Sequence, residues 1–131
     1  MSKVLLLALV TLCCLVFADT ATAQAKQRVN FARGSSSATV RGTVRGYAYH
    51  DYVVRASAGQ ALELDLRSTH TYAVFSVLRP DGDNLEDAAE RDNFIGELPT
   101  SGDYVIRVGM MRSGARRPGS VSNFTLTISI R

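Results

Sequence analysis

Four stretches of this chain alternate apolar and polar residues with a period of two, and that pattern admits few folds. Ala38, Val40, Gly42 and Val44 alternate with Thr39, Arg41, Thr43 and Arg45. Leu62, Leu64 and Leu66 alternate with Glu63, Asp65 and Arg67. Tyr104, Ile106, Val108 and Met110 share one parity, as do Phe124, Leu126, Ile128 and Ile130 further on. A period of two puts apolar side chains on one face of an extended strand and polar ones on the other. One buried face and one wetted face belong to an antiparallel sheet. Turn-forming clusters punctuate the runs: Gly34-Ser35-Ser36-Ser37, Ser57-Ala58-Gly59, Pro80-Asp81-Gly82 and Pro99-Thr100-Ser101-Gly102. Strands are expected at 28–32, 38–46, 50–57, 60–67, 71–78, 94–98, 103–111 and 122–130. About eight short strands at this spacing predict an all-β domain, a single antiparallel β-sandwich. The stretch 82–92 reads as a loop or a short irregular edge, and 112–122 as a long loop.

The first residues bear on location. Lys3 precedes an apolar run from 4 to 17, and Ala21-Thr22-Ala23 follows. This is the layout of a secretory signal peptide over 1–23. The run is short of the roughly 20 residues that a membrane-spanning helix needs. Cys13 and Cys14 both fall in the leader, and neither follows the small residue that lipid modification requires, so no stable membrane anchor is read. The expected mature domain, 24–131, has 108 residues and no cysteine. It therefore has no disulfide, thiol nucleophile or thiolate metal site, and its stability must come from its core. A periplasmic or secreted location follows from the leader.

Charge is unevenly placed. The chain has 15 Lys and Arg against 12 Asp and Glu. Between Asp81 and Glu97 seven acids face only Arg91. After Asp103 there is no acid, but there are five arginines: Arg107, Arg112, Arg116, Arg117 and Arg131. Such a patch suits nucleic acid, a membrane surface or an acidic protein cleft. No aromatic-rich nucleic-acid motif accompanies it, and export argues against a nucleic-acid partner.

The residues for catalysis are missing. His50 and His70 are the only histidines, and His50 and Asp51 are strand neighbours whose side chains point to opposite faces. There is no Gly-x-Ser-x-Gly, phosphate-cradling glycine loop or His-Glu-x-x-His. The chain is expected not to be an enzyme and to need no cofactor. Asp81-Gly82-Asp83-Asn84 offers hard oxygen atoms for calcium but lacks the spacing of a helix-loop-helix calcium site. A solvated acidic turn is the preferred reading, with no metal.

Three motifs are candidates for recognition. Tyr47, Tyr49 and Tyr52 crowd a strand connection, where exposed tyrosines make good interface anchors; Tyr52 shares parity with Val54 and Ala56 and reads as core. Pro99-Thr100-Ser101-Gly102-Asp103-Tyr104 is a turn entering a strand. Tyr104 shares parity with Ile106 and reads first as core, and second as a tip residue with a free hydroxyl. Met110-Met111-Arg112-Ser113-Gly114-Ala115-Arg116-Arg117-Pro118-Gly119 is an arginine-rich loop with no acid, a plausible recognition element on a small β scaffold.

Together these pieces resemble the periplasmic inhibitors of i-type and g-type lysozymes, whose fold is like that of pre-peptidase C-terminal domains. The resemblance runs from about Val29 to Ile130. It rests on Val29-Asn30-Phe31-Ala32-Arg33-Gly34, Gly46-Tyr47, Ala58-Gly59-Gln60, Leu98-Pro99-Thr100-Ser101-Gly102-Asp103-Tyr104 and, most specifically, the arginine loop. It implies a host lysozyme as partner, with loops of the inhibitor entering the active-site cleft and protecting the bacterial cell wall. Ser101, Gly102 and Tyr104 would belong to one such loop, Arg112, Ser113 and Arg116 to another, and Tyr47 to the same rim. The stretch from Thr71 to Pro80 leans toward i-type inhibitors, with g-type as the other target. The competing expectation is a non-catalytic envelope or carbohydrate-binding module on the same sandwich. A homodimer is left open.

Overall fold

The structure is a computed structural model and describes residues 25–70 and 72–131. The signal peptide expected over 1–23, with Cys13 and Cys14, lies outside the described residues. The strands are β1 (Ala25–Arg28), β2 (Ser37–Arg45), β3 (His50–Ala56), β4 (Ala61–Ser68), β5 (Ala73–Leu78), β6 (Asn93–Glu97), β7 (Gly102–Met110) and β8 (Val121–Ile130). A four-residue helix, α1 (Arg112–Ala115), lies between β7 and β8.

The strands form two four-stranded sheets, ordered β1-β3-β7-β5 and β2-β8-β4-β6. Odd-numbered strands make the first sheet and even-numbered strands the second, so every connection crosses from sheet to sheet at an end of the sandwich. The expected antiparallel pairing holds throughout except at β1, which runs parallel to β3 with Ala25 opposite His50. That first strand also lies earlier than the expected 28–32. Lys26, Gln27 and Arg28 are all exposed, so no apolar period marks the segment. Its place comes from the ladder to β3, extended by the Val29 N–H bonding the Val53 carbonyl at 2.9 Å, and from an Arg28–Asp103 ion pair at 2.8 Å.

The alternating apolar residues fill the space between the sheets. Tyr52, Val54, Phe75, Val77, Tyr104, Ile106 and Val108 point inward from the first sheet. Leu62, Leu64, Leu66, Phe124, Leu126 and Ile128 meet them from the second. Burying each such side chain contributes about 1.5–3 kcal/mol, and the described residues include no cysteine that could add a disulfide. The acidic stretch follows the edge of β5: the Leu85 N–H bonds the Val77 carbonyl, and Phe75 and Arg91 exchange two backbone bonds. Buried Leu85 and Ala88 anchor it, so the irregular-edge reading describes it better than a free loop. Asp81 and Asp83 both lie 3.9 Å from Arg79. Among the described residues no three His, Cys, Asp or Glu are placed to hold a metal ion.

Register decides which loops meet. His50 pairs with Val108, Ala73 with Met110, and Arg45 with Val121. The β2–β3 turn (46–49), the β4–β5 connection with His70 and Tyr72, and the β7–β8 loop (111–120) therefore share one end of the sandwich. Ala56 pairs with Gly102, which sends the turns 57–60 and 98–101 to the other end.

Candidate functional site

The arginine loop has a fixed shape. The Met111 N–H bonds the Tyr72 carbonyl at 2.8 Å where the chain leaves β7. The α1 turn then buries Gly114 and Ala115. A Cβ on Gly114 would lie 2.5 Å from the Tyr72 ring, so only glycine lets α1 seat against that tyrosine. Ser120 Oγ donates toward the carbonyls of Ala115 and Arg117, and the Gly46 N–H bonds the Ser120 carbonyl at 3.0 Å. That last bond ties the arginine loop to the turn carrying Tyr47. Arg117 lies over the Tyr72 ring, 5.1 Å from its centre, and donates to its hydroxyl at 3.1 Å.

Beside this loop is a cleft of about 190 Å³, lined by residues that include Tyr47, Tyr49, Glu90, Arg107, Met111 and Arg112. Arg107 forms its floor. Nε and Nη2 of Arg107 donate to the two carboxylate oxygens of buried Asp51 at 2.8 and 2.9 Å. The same guanidinium stacks 4.1 Å from the centre of the Tyr49 ring. Donating these hydrogen bonds to Asp51 raises the Arg107 pKa further above its ordinary value, so this cation stays charged. Its charge is nonetheless matched by Asp51. Arg112 and Arg116, by contrast, are exposed, and their guanidinium groups make no hydrogen bond or ion pair with the described residues. Next to them Tyr47 is 66% exposed. Two unmatched cations and an open aromatic ring thus stand on a backbone held by several hydrogen bonds. The arrangement can donate several charge-assisted hydrogen bonds to anionic groups.

The histidines serve the fold. His50 Nε2 lies 2.7 Å from the Thr43 carbonyl, and the ring stacks on Tyr52 and meets Phe124 edge-on. Asp51 points away from it to the outer face, as strand alternation requires. His70 lies against Tyr72 at 4.8 Å between ring centres.

Tyr47, Arg112, Ser113 and Arg116 come together at this end. Ser101, Gly102 and Tyr104 do not: they stand at the other end of the nine-residue β7, about 25–30 Å away at the rise of an extended strand. Ser101 Oγ accepts the Ala58 N–H at 2.8 Å, which joins the two turns there. Gly102 has a φ of +142°, and a Cβ would meet Pro80 at 2.8 Å, so glycine is required twice over. Tyr104 is wholly buried, and its hydroxyl donates to the Thr100 carbonyl at 2.6 Å, locking the turn. Sequence reasoning did not assign Asp51, Arg107 or Tyr72 to the site, while Tyr49 and Arg117 lay in its candidate motifs without being named as contact residues. The available signal was weak: Asp51 and Arg107 are single charges on the polar parity of two strands, and only the register joins them.

No family model matches the chain. It is 30% identical to the inhibitor of g-type lysozyme of Escherichia coli (strain K12), over an alignment of 139 positions that takes in 98% of this chain and 93% of that protein. The crystal structure of Aeromonas hydrophila PliG, a periplasmic inhibitor of g-type lysozyme, superposes with a TM-score of 0.71 at 32% identity, covering 82% of this chain and 96% of that one. Salmonella Typhimurium PliG, with the same description, gives 0.66 at 25% identity, covering 83% and 100%. Likeness over nearly the whole of both chains, in sequence and in fold, places this protein in the family of g-type lysozyme inhibitors.

Proposed function

We propose that this protein inhibits a g-type lysozyme in the periplasm, non-covalently, by placing its arginine loop and Tyr47 in the enzyme's cleft. The observation that carries the reading is the pair of unmatched cations, Arg112 and Arg116, beside exposed Tyr47. Glycosidases depend on carboxyl groups in the cleft. Guanidinium groups bind carboxylates in bidentate fashion, and the tyrosine hydroxyl adds a donor. Occupation of the cleft excludes the polysaccharide, and pairing a catalytic carboxyl removes its proton-transfer role. The fixed loop lowers the ordering cost of binding.

On this reading Ser113 lies within the contact, while Ser101, Gly102 and Tyr104 hold the far end and touch no lysozyme. The sequence lean toward an i-type target finds no support among these relatives, so g-type is the first target and i-type the second. The test is cell-wall lysis by g-, i- and c-type lysozymes in parallel, titrated with purified protein and with an Arg112→Ala/Arg116→Ala variant. Selective inhibition of the g-type enzyme, weakened in the variant, is expected. No inhibition of any class, with direct binding to peptidoglycan, would replace the inhibitor by a glycan-binding module.

A further inference from the structure

The outer face of the second sheet has a feature that the inhibitor reading does not use. Register puts Arg41 opposite Thr125 on β8, and Thr125 opposite Arg67 on β4. Directly paired residues share a face, so the three form one row, arginine–threonine–arginine, across neighbouring strands. The outer strands of such a row stand about 9–10 Å apart, a span that two arginine side chains close over a single anion. The row borders an open hollow of about 420 Å³, lined also by Gly42, Ser68, Thr69, Asn123 and Phe124 and by no acid.

The free groups around this hollow are nearly all donors. Arg41 has no side-chain partner among the described residues. Arg67 gives only its Nε to Asp65, at 3.2 Å, which leaves both terminal nitrogens available. Asn123 accepts from the Thr43 hydroxyl through Oδ1 at 2.7 Å, which turns its amide NH2 outward as a donor. The Thr125 hydroxyl has no partner among the described residues. Thr69 is drawn in by two bonds to the Asn123 backbone, its N–H to the carbonyl at 2.9 Å and its Oγ1 from the N–H at 3.0 Å. The face is therefore pinned.

We infer that this hollow binds a phosphate group, with Arg41 and Arg67 clamping it from either side and Thr125 and Asn123 donating from the floor. Donors arriving from three directions match a tetrahedral oxyanion better than a planar carboxylate. The site lies on the opposite outer face from Arg107 and the cleft, so both can be occupied at once. A domain held by a phosphate-bearing surface through this sheet keeps its arginine loop free.

The experiment has two arms, with inorganic phosphate followed by amide NMR shifts, and co-sedimentation with phosphatidylglycerol or phosphatidylcholine vesicles. Saturable phosphate shifts at Arg41, Asn123 and Thr125, without vesicle binding, identify free phosphate as the ligand. Retention by phosphatidylglycerol but not phosphatidylcholine identifies a lipid headgroup. In either case Arg41→Gln and Arg67→Gln should each weaken binding about tenfold, the loss of one charged hydrogen-bonding group. Both side chains are exposed, so the thermal midpoint should not move. The proposal is overturned if neither arm shows binding or if the glutamine variants bind unchanged. It is also overturned if Arg41→Lys/Arg67→Lys binds as the wild type does, because charge alone would then suffice.

Discussion

Replacing Gly114 with alanine tests how the arginine loop is shaped. Gly114 is helical in backbone, so alanine meets no forbidden φ and gains about 0.5–1 kcal/mol of helix propensity. Against this, its methyl would lie 2.5 Å from Cβ and Cγ of Tyr72 and 2.7 Å from Cδ2. Carbon atoms rest at about 3.5–4.0 Å, so the two groups must part by about 1 Å. Tyr72 cannot readily retreat, with His70 on its ring and Arg117 over it. Forced overpacking costs about 1–3 kcal/mol, and contacts of 2.5 Å against a wedged ring put this case at about 2–3 kcal/mol, so the net loss after the propensity gain is about 1–2.5 kcal/mol. In urea the midpoint should fall by roughly 0.5–1 M with an unchanged slope. Arg112 and Arg116 move with α1, so inhibition should weaken about tenfold, the loss of one charged contact. In a Tyr72→Gly background the same substitution should cost much less, because Cβ, Cγ and Cδ2 of residue 72 are then all gone. A Gly114→Ala protein with the wild-type midpoint and full inhibition would refute the steric reasoning.

Tyr104→Phe removes the hydroxyl that holds Thr100. It should lower stability by about 1 kcal/mol in urea titration and leave inhibition intact; a lost inhibitory effect would return Tyr104 to the contact surface. Asp51→Ala strands the Arg107 guanidinium. Breaking a fully buried pair costs about 3–5 kcal/mol, but the Arg107 side chain is 40% exposed, so about 1–2 kcal/mol is expected after solvent screening. An unchanged urea midpoint would show the pair to be inert. The hydrogen bond from Arg28 holds the Asp103 carboxyl below the usual carboxylate range. A lowered folded-state pKa favours folding above the unfolded value and loses that contribution as pH falls through the folded one. Stability should therefore drop below about pH 4, and Asp103→Asn should remove part of that acid dependence in midpoints measured against pH.

The sandwich was legible because a period of two is written into β2, β4, β7 and β8, and turn residues bound each run. Seven of the strands fall within two residues of the expected bounds. The parallel β1 was not legible: an exposed edge strand carries no apolar pattern, and pairing direction has no local signature. Nor was α1, whose four residues have no side-chain cap at the N-terminus and are too few for helical periodicity. Among the site residues, Tyr47, Arg112, Ser113 and Arg116 could be picked out because each lies in a loop whose composition is odd. The Asp51–Arg107–Tyr49 floor could not, because its two ion-pair partners are 56 residues apart and meet only through the β3–β7 register. The resemblance assigned Ser101 and Tyr104 to a second contact loop, although the parity of Tyr104 with Ile106 already read it first as core. Chain order along β7 and its pairing with β3 send them to the opposite pole.

The central claim is that two unmatched arginines bind the cleft of a g-type lysozyme. The most direct measurement is titration of g-type lysozyme with wild type and with Arg112→Ala/Arg116→Ala in the same lysis assay. Near-stoichiometric inhibition by wild type is expected, with about a hundredfold loss in the variant, one factor of ten per charged contact, and no change in thermal midpoint. Equal inhibition by both proteins, or none by either, would contradict it.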